Sequence, residues 1–202
     1  RFGGDAVFSE ALSYHPSVIA MFETDGYKDI PKTEGTVILG DDVGGIEAVG
    51  VTQNIKALRD VSLQGIVSAP VDVDNLVRRM PLLMRSPDGW IASFGTQLLK
   101  AVTGTSTYVI KTNANGIQEI RVKQLNPIPT DSSGRVWVNW IQTESTTLDS
   151  MDVEGKMVIV GTTAKGILPQ VSTPKGLFYP HQIQASLAET IIHASNKRMP
   201  MV

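Results

Sequence analysis

The chain has 202 residues, 42% hydrophobic and 19% charged, enough for one sizeable core or two small ones in a folded domain. Its 18 Lys and Arg against 20 Asp and Glu leave a net charge of −2, so no global basic field points to nucleic acid or to an anionic membrane. No cysteine is present, which excludes disulfides, thiol catalysis and zinc–thiolate sites and fits a bacterial extracytoplasmic domain, although many cytosolic domains also lack cysteine. No apolar run approaches the roughly 20 residues of a membrane span, and no signal peptide is read at the start.

Asp5 is expected to cap a first helix with Phe8, Ala11 and Leu12 on one face. The continuous apolar run Val18 to Phe22 predicts a buried strand. Glu23 to Gly35 is polar and is broken by Gly26 and Pro31, so it predicts an exposed excursion. Thr36 to Gly40 predicts a short strand. Asp41 to Gly45 matches neither dinucleotide nor P-loop spacing and reads as a turn. Ile55, Leu58 and Val61 fall at helical spacing. Gly65 to Ala69, an acidic turn from Pro70 to Asn75, and Leu76 to Met84 predict a hairpin, with Pro81 at an edge or bulge. Asp72 and Asp74 would sit at its tip, with Arg78 and Arg79 one step inside.

Ile91, Phe94, Leu98, Ala101 and Val102 mark an amphipathic helix that ends near Gly104. Thr107 to Thr112 and Ile117 to Val122 flank Asn113-Ala114-Asn115-Gly116, a hairpin signal. Asn126 to Asp131 must run extended and then turn, and Arg135 to Trp140 alternate as a strand. Thr146 to Met151 suggests one helical turn. Met157 to Val160, four apolar residues between Gly155 and Gly161, predicts a strand buried on both faces. A helix from about His181 to Ser195 follows. Strand, glycine turn, loop and helix make the unit of a sheet with helices on its faces, and ligands of such sheets sit beyond the carboxyl ends of strands. That rule places Gly161, Thr162 and Thr163 at a ligand site. The fold class read is a single α/β domain over 1–202, with a mixed central β-sheet, helices packed on its faces and inserted β-hairpins.

Several stretches in this order resemble one family. Gly65-Ile66-Val67 followed by Asp72-Val73-Asp74-Asn75 and Arg78-Arg79-Met80-Pro81 is similar to its "D-x-D-G-x-x-R-R-x-P" segment. Ile128-Pro129-Thr130-Asp131 with Gly134 to Trp140 resembles "I-P-x-D-x-x-G … I-N-Y/W". Gly155 to Ala164 resembles "G-K-I-V-L-V-G-x-T-A", and Ile183-Gln184-Ala185-Ser186 stands where the family has "I-H-A-N". Arg1 to Asp5 is similar to its early "D-R-x-x-x-D" stretch. The family is the type-two CHASE domain, the sensory extracellular module of bacterial receptors. Two departures are Asn75 for Gly and Gln184 for His; Asn tolerates the left-handed conformation. The family's upstream strand–helix–strand stretch has no counterpart here. The resemblance implies an extracytoplasmic, periplasmic part of an inner-membrane protein. Its output would be an adenylate cyclase, a histidine kinase of a two-component system or a Ser/Thr kinase. It also implies membrane helices, a cytoplasmic output domain and a homodimer as partners.

Each candidate residue carries two readings. Asp72 and Asp74 either form Asx turns or bind a ligand; Ca²⁺ is one such ligand, but the turn lacks the denser oxygen spacing of an EF-hand loop. Arg78 and Arg79, being consecutive on a strand, are expected on opposite faces, so at most one faces a given cleft; either one of them pairs with Asp72 or Asp74, or one forks a ligand carboxylate or phosphate. Thr162 and Thr163 either cap the loop or donate to a ligand. His15, His181 and His193 lack ligand spacing, and no metal or cofactor is expected. Trp137 and Trp140, three apart, should face opposite sides, with at least one in the core. There is no G-x-S-x-G elbow and no Ser/His/Asp set, so no catalytic residue is nominated. Three function classes stand: a sensor for a small-molecule or protein signal, an interaction or structural module, and an α/β hydrolase-like or transferase enzyme. Ile183, Leu187 and Ile191, with Ala188 and Ile192, form an apolar stripe expected to pack on Met157–Val160. Pro200 stops this helix after Asn196-Lys197-Arg198. The apolar Met199, Met201 and Val202 then fit a membrane segment beyond, to which the helix would pass a signal.

Overall fold

A computed structural model describes residues 3–26, 31–122, 124–141, 152–164 and 166–196. In chain order these form α1 (Gly4–Ser13), β1 (Val18–Glu23), β2 (Gly35–Leu39), β3 (Ile46–Glu47), β4 (Val51–Thr52), α2 (Lys56–Arg59) and β5 (Leu63–Ile66). Then come β6 (Arg79–Pro81), β7 (Leu83–Ser86), β8 (Gly89–Ala92), α3 (Phe94–Thr103), β9 (Thr107–Asn113), β10 (Gly116–Val122), β11 (Ile128–Pro129) and β12 (Arg135–Trp137). The chain ends on β13 (Val171–Thr173), β14 (Gly176–Phe178) and α4 (Pro180–Asn196). The architecture is mixed α/β, as expected, but no single central sheet collects the strands. A four-stranded sheet runs β11-β10-β9-β2 and a three-stranded one runs β4-β1-β5, each mixing parallel and antiparallel pairs. Smaller sheets complete it, including β3-β7-β8 and the pair β12-β6.

The hairpin around Asn113 to Gly116 forms with a bulge between Ile117 and Glu119. Its inward residues Tyr108, Ile110, Ile117 and Ile120 are fully buried, as alternation on a half-buried sheet requires. β2 lies parallel to β9. α3 ends at Gly104, whose φ of 63° closes the helix in the left-handed conformation.

Four expectations are corrected. Met157–Val160 is not a strand: it joins no ladder among the described residues, and Val160 is 82% exposed. An apolar run expresses a preference for burial, but a strand buried on both faces also needs a ladder partner for its backbone groups. The 65–84 hairpin does not form. β5 pairs in parallel with β1, and β6 pairs with β12, so Pro70 to Arg78 bridges two sheets. Asp5 lies in the first turn of α1, whose N-cap is Gly3, and α1 buries no residue; Phe8 is half exposed. The excursion Glu23 to Gly35 turns inward at its end, where Pro31 is buried and the Glu34 side chain is only 6% exposed. The helical turn expected at Thr146 to Met151 lies outside the described residues.

α4 carries the predicted stripe, with Ile183, Leu187 and Ile191 fully buried; among the helices and strands its chief neighbour is α3, with β11 touching it as well. The close approach depends on small residues. A Cβ on Gly95 of α3 would lie 3.0 Å from the Gln184 carbonyl oxygen and 3.1 Å from Leu187. A Cβ on Gly65 of β5 would fall 2.4 Å from the Phe94 Cα. Gln184, the departure from the family's His, is fully buried and bridges both neighbours. Its Oε1 accepts the Gly95 N–H at 2.9 Å, and its Nε2 donates to the Val67 carbonyl at 3.1 Å.

Gly65→Ala should therefore destabilise the fold by about 1–3 kcal/mol through overpacking, read as a lower urea midpoint with an unchanged slope. Wild-type stability in this variant would mean that the β5–α3 contact is looser than described.

Candidate functional site

The turn after β5 places the sequence-nominated charges. Asp72 and Leu76 close it through an N–H to carbonyl bond of 2.9 Å, and Asn75 adopts φ 61°, the left-handed conformation that Asn accommodates. Asp74 also forms the expected Asx contact, accepting the Leu76 N–H at 3.3 Å. The arginines do not divide between two faces. Arg78 Nη1 and Nη2 donate to Asp74 at 2.8 and 2.6 Å, and Nη1 also reaches Asp72 at 3.3 Å. Arg79 donates to Asp72 at 2.8 Å and to Asp131 at 2.9 Å. Strand alternation begins only with β6 at Arg79, so it does not govern Arg78, and Asp72 offers one carboxylate oxygen to each guanidinium.

Two further residues complete the cluster. Arg135 Nε donates to Asp131 at 2.9 Å and its Nη1 lies 3.8 Å from Asp72. Asp131 also accepts the Ser133 and Arg135 N–H groups at 3.1 and 2.9 Å. Trp137 is two-thirds exposed and packs beneath Arg79, whose guanidinium carbon is 5.3 Å from the ring centroid. Trp140 takes the inner role, edge-on to Phe178 at 5.5 Å. The sequence reading nominated four of these six charges. Asp131 and Arg135 were missed as partners because they lie some fifty residues away in the chain, although both stand in the stretch that carries the resemblance.

Three arginines and three aspartates balance, so the cluster is a neutral latch joining the 72–76 turn to β6 and β12. Its hydrogen bonds hold Asp72 and Asp74 ionised. Arg79 above all, then Arg78, keeps Asp72 below the usual carboxylate range, and Arg78 brings Asp74 down to about 2. Asp74 raises Arg78, and Asp72 raises Arg79, above the ordinary guanidinium value. A ligand anion at either arginine would have to displace an aspartate.

Thr162 and Thr163 are placed elsewhere. The Thr163 carbonyl accepts the Tyr179 hydroxyl at 3.0 Å, and Thr162 Oγ1 accepts the Ala164 N–H at 3.3 Å, a loop-capping bond. The His181 ring stacks on Tyr179 at 5.6 Å and 11°, and a Cβ on Gly161 would meet that ring. Burial pulls the His181 pKa down. No hydrogen bond or ion pair among the described residues joins this loop to the Arg–Asp cluster. Because Met157–Val160 is not a strand, the strand-end argument for a ligand at Thr162 and Thr163 does not apply to this geometry.

A cleft that the sequence did not indicate lies at the far side of α3. It has a volume of 530 Å³ and is walled by segments 16–17, 32–34 and 59–64 and by the α3 residues Gln97 and Lys100. Lys100 Nζ pairs with Glu34, and Gln97 Nε2 donates to Glu34 and to the Gln64 carbonyl. Both members of this ion pair are largely withdrawn from solvent. No local pattern signals a pair 66 residues apart.

The depressed Asp72 and Asp74 values mean that the latch stabilises the fold fully above about pH 4 and loses that contribution as pH falls toward 2. The urea midpoint should drop between pH 5 and pH 2.5, and the drop should be smaller in a D72N/D74N double variant. An equal drop in both proteins would remove the latch from the acid limb.

No curated protein and no solved structure gives a significant match to the chain. The family model described as the CHASE2 domain matches residues 2–202. That extent covers both the latch and the cleft, and every stretch on which the sequence resemblance rested except Arg1. The chain belongs to the CHASE2 domain family, the extracellular sensory domains of signalling receptors.

Proposed function

We propose that residues 1–202 form one extracytoplasmic sensor domain of a bacterial inner-membrane receptor, without catalytic activity of its own, and that α4 carries its signal toward membrane helices and a cytoplasmic output domain. The observation that supports this most is the seating of α4. Its stripe is fully buried against α3, and Gln184 hydrogen-bonds at once to α3 and to the segment after β5. A change in either element is therefore felt by α4, as a two-state transmission requires. Cyclase, histidine kinase and Ser/Thr kinase outputs all accept such an input, and a homodimer would let two α4 helices act together.

Leu187→Ala should cost about 2–5 kcal/mol of domain stability because the side chain is fully buried. In the full-length receptor, this change and a flexible Gly-Ser insertion after Asn196 should each alter output activity. Output unchanged by both would exclude α4 as the transmission element.

A second reading, an interaction module, draws on Val158 and Val160, apolar yet exposed and in no ladder among the described residues. If it holds, a V158D/V160D variant should lose self-association or partner binding in sedimentation at unchanged stability. Unchanged sedimentation would dismiss it.

A further inference from the structure

We propose that the cleft beside Lys100 binds a small carboxylate that also carries hydroxyl or ammonium donors. This deepens the sensor reading and rests on it. At 530 Å³ the cleft falls within the roughly 300–1,000 Å³ range of small-molecule sites. One of its lining residues, Thr105, is 6% exposed, and its Oγ1 has no hydrogen-bond partner among the described residues. Buried hydroxyls in folded proteins are paired, and a ligand that reached this one from the cleft would supply the missing partner.

The charges select the ligand's sign. Lys32, Arg59 and Lys100 line the cleft against Glu34 and Asp60. Glu34 is neutralised by Lys100 and accepts a further hydrogen bond from Gln97, and Asp60 is neutralised by Lys56, which stands outside the lining. Both carboxylates are therefore occupied, and the formal charge of the described lining, three cations against two carboxylates, is +1. Lys32 has no ion pair among the described residues. One cationic excess suits a monocarboxylate, whose charge-assisted bonds are the strong ones.

The hydroxyls select the rest of the ligand. Ser17 Oγ already donates to the Leu12 and His15 carbonyls at 3.1 and 2.8 Å, and Ser62 Oγ donates to the Leu58 carbonyl at 2.6 Å. Each therefore offers lone pairs and no proton, and a matching ligand brings its own O–H or N–H groups. The same helix that presents Gln97 and Lys100 to the cleft presents Gly95 to Gln184 of α4. One helix thus separates the ligand from the transmission element.

The test uses the purified protein with serine, glycerate and gluconate, each beside an uncharged counterpart: serinol, glycerol and glucose. At least one carboxylate should raise the melting temperature along a mass-action curve, and its counterpart should not. Thr105→Val, which keeps the shape and removes the hydroxyl, should weaken that binding by about fivefold to tenfold, the loss of one hydrogen bond. Lys32→Ala should weaken it as well, and both variants should melt like the wild type without ligand. No shift with any carboxylate, equal binding of the uncharged counterparts, or unchanged affinity in both variants would each overturn the proposal. The Gly-Ser insertion separates the two ideas. Altered output with no binding leaves the sensor standing and removes the cleft. Thr105-dependent binding with unaltered output supports the cleft and removes α4 as the route.

Discussion

The stacking of β5, α3 and α4 on two glycines is the constraint on which the rest of the molecule depends. Gly65 leaves no room for a side chain, because a methyl there would run into the Phe94 backbone, and Gly95 leaves only a tight fit against Gln184 and Leu187. Close approach of backbones would normally leave amide groups without water or partners, which is costly in an interior. Gln184 resolves this with one side chain, accepting from Gly95 and donating to Val67. Apolar packing supplies the bulk of the stability along the α4 stripe, while the amide fixes where along that stripe the helix sits. A side chain with the same two capacities is needed at that point, and a neutral amide supplies them at every pH.

Charge is used in two different ways around this stack. The latch of Asp72, Asp74, Asp131, Arg78, Arg79 and Arg135 is partly exposed and internally balanced. Exposed ion pairs contribute little individually, and networks with bidentate arginines contribute more. The value of this one is geometric: it ties an irregular turn to the strand pair β6–β12. The Lys100–Glu34 pair, joined by Gln97, is largely withdrawn from water. Such a pair carries a desolvation penalty that the mutual attraction only partly offsets. Placing it in the wall of a cleft, on the helix that touches α4, concentrates electrostatic sensitivity where a ligand would act.

Family membership and geometry support each other without duplicating each other. The CHASE2 match over residues 2–202 assigns a sensory role but no residue to that role. The geometry separates the charged residues that the motifs make conspicuous from the cleft that they leave out. The conspicuous ones are engaged with one another, and a group saturated by its own protein is a poor receptor for a ligand.

Local order was legible in the chain itself. The hairpin at Asn113 to Gly116, the helix closing at Gly104 and the apolar stripe of α4 all follow from spacings of two to four residues and from turn chemistry, which act within one element. The acidic turn with its two arginines was legible for the same reason. Pairing was not. β5 took β1 as its partner and β6 took β12, and Met157–Val160, as apolar as any strand in the chain, joined no ladder among the described residues. Arg79 met Asp131 and Lys100 met Glu34 across separations of 52 and 66 residues. A side-chain pattern states which face of an element avoids water. Which element then covers that face, and which charges meet beside it, depends on where the intervening chain returns, and only the folded arrangement of sheets and helices settles that.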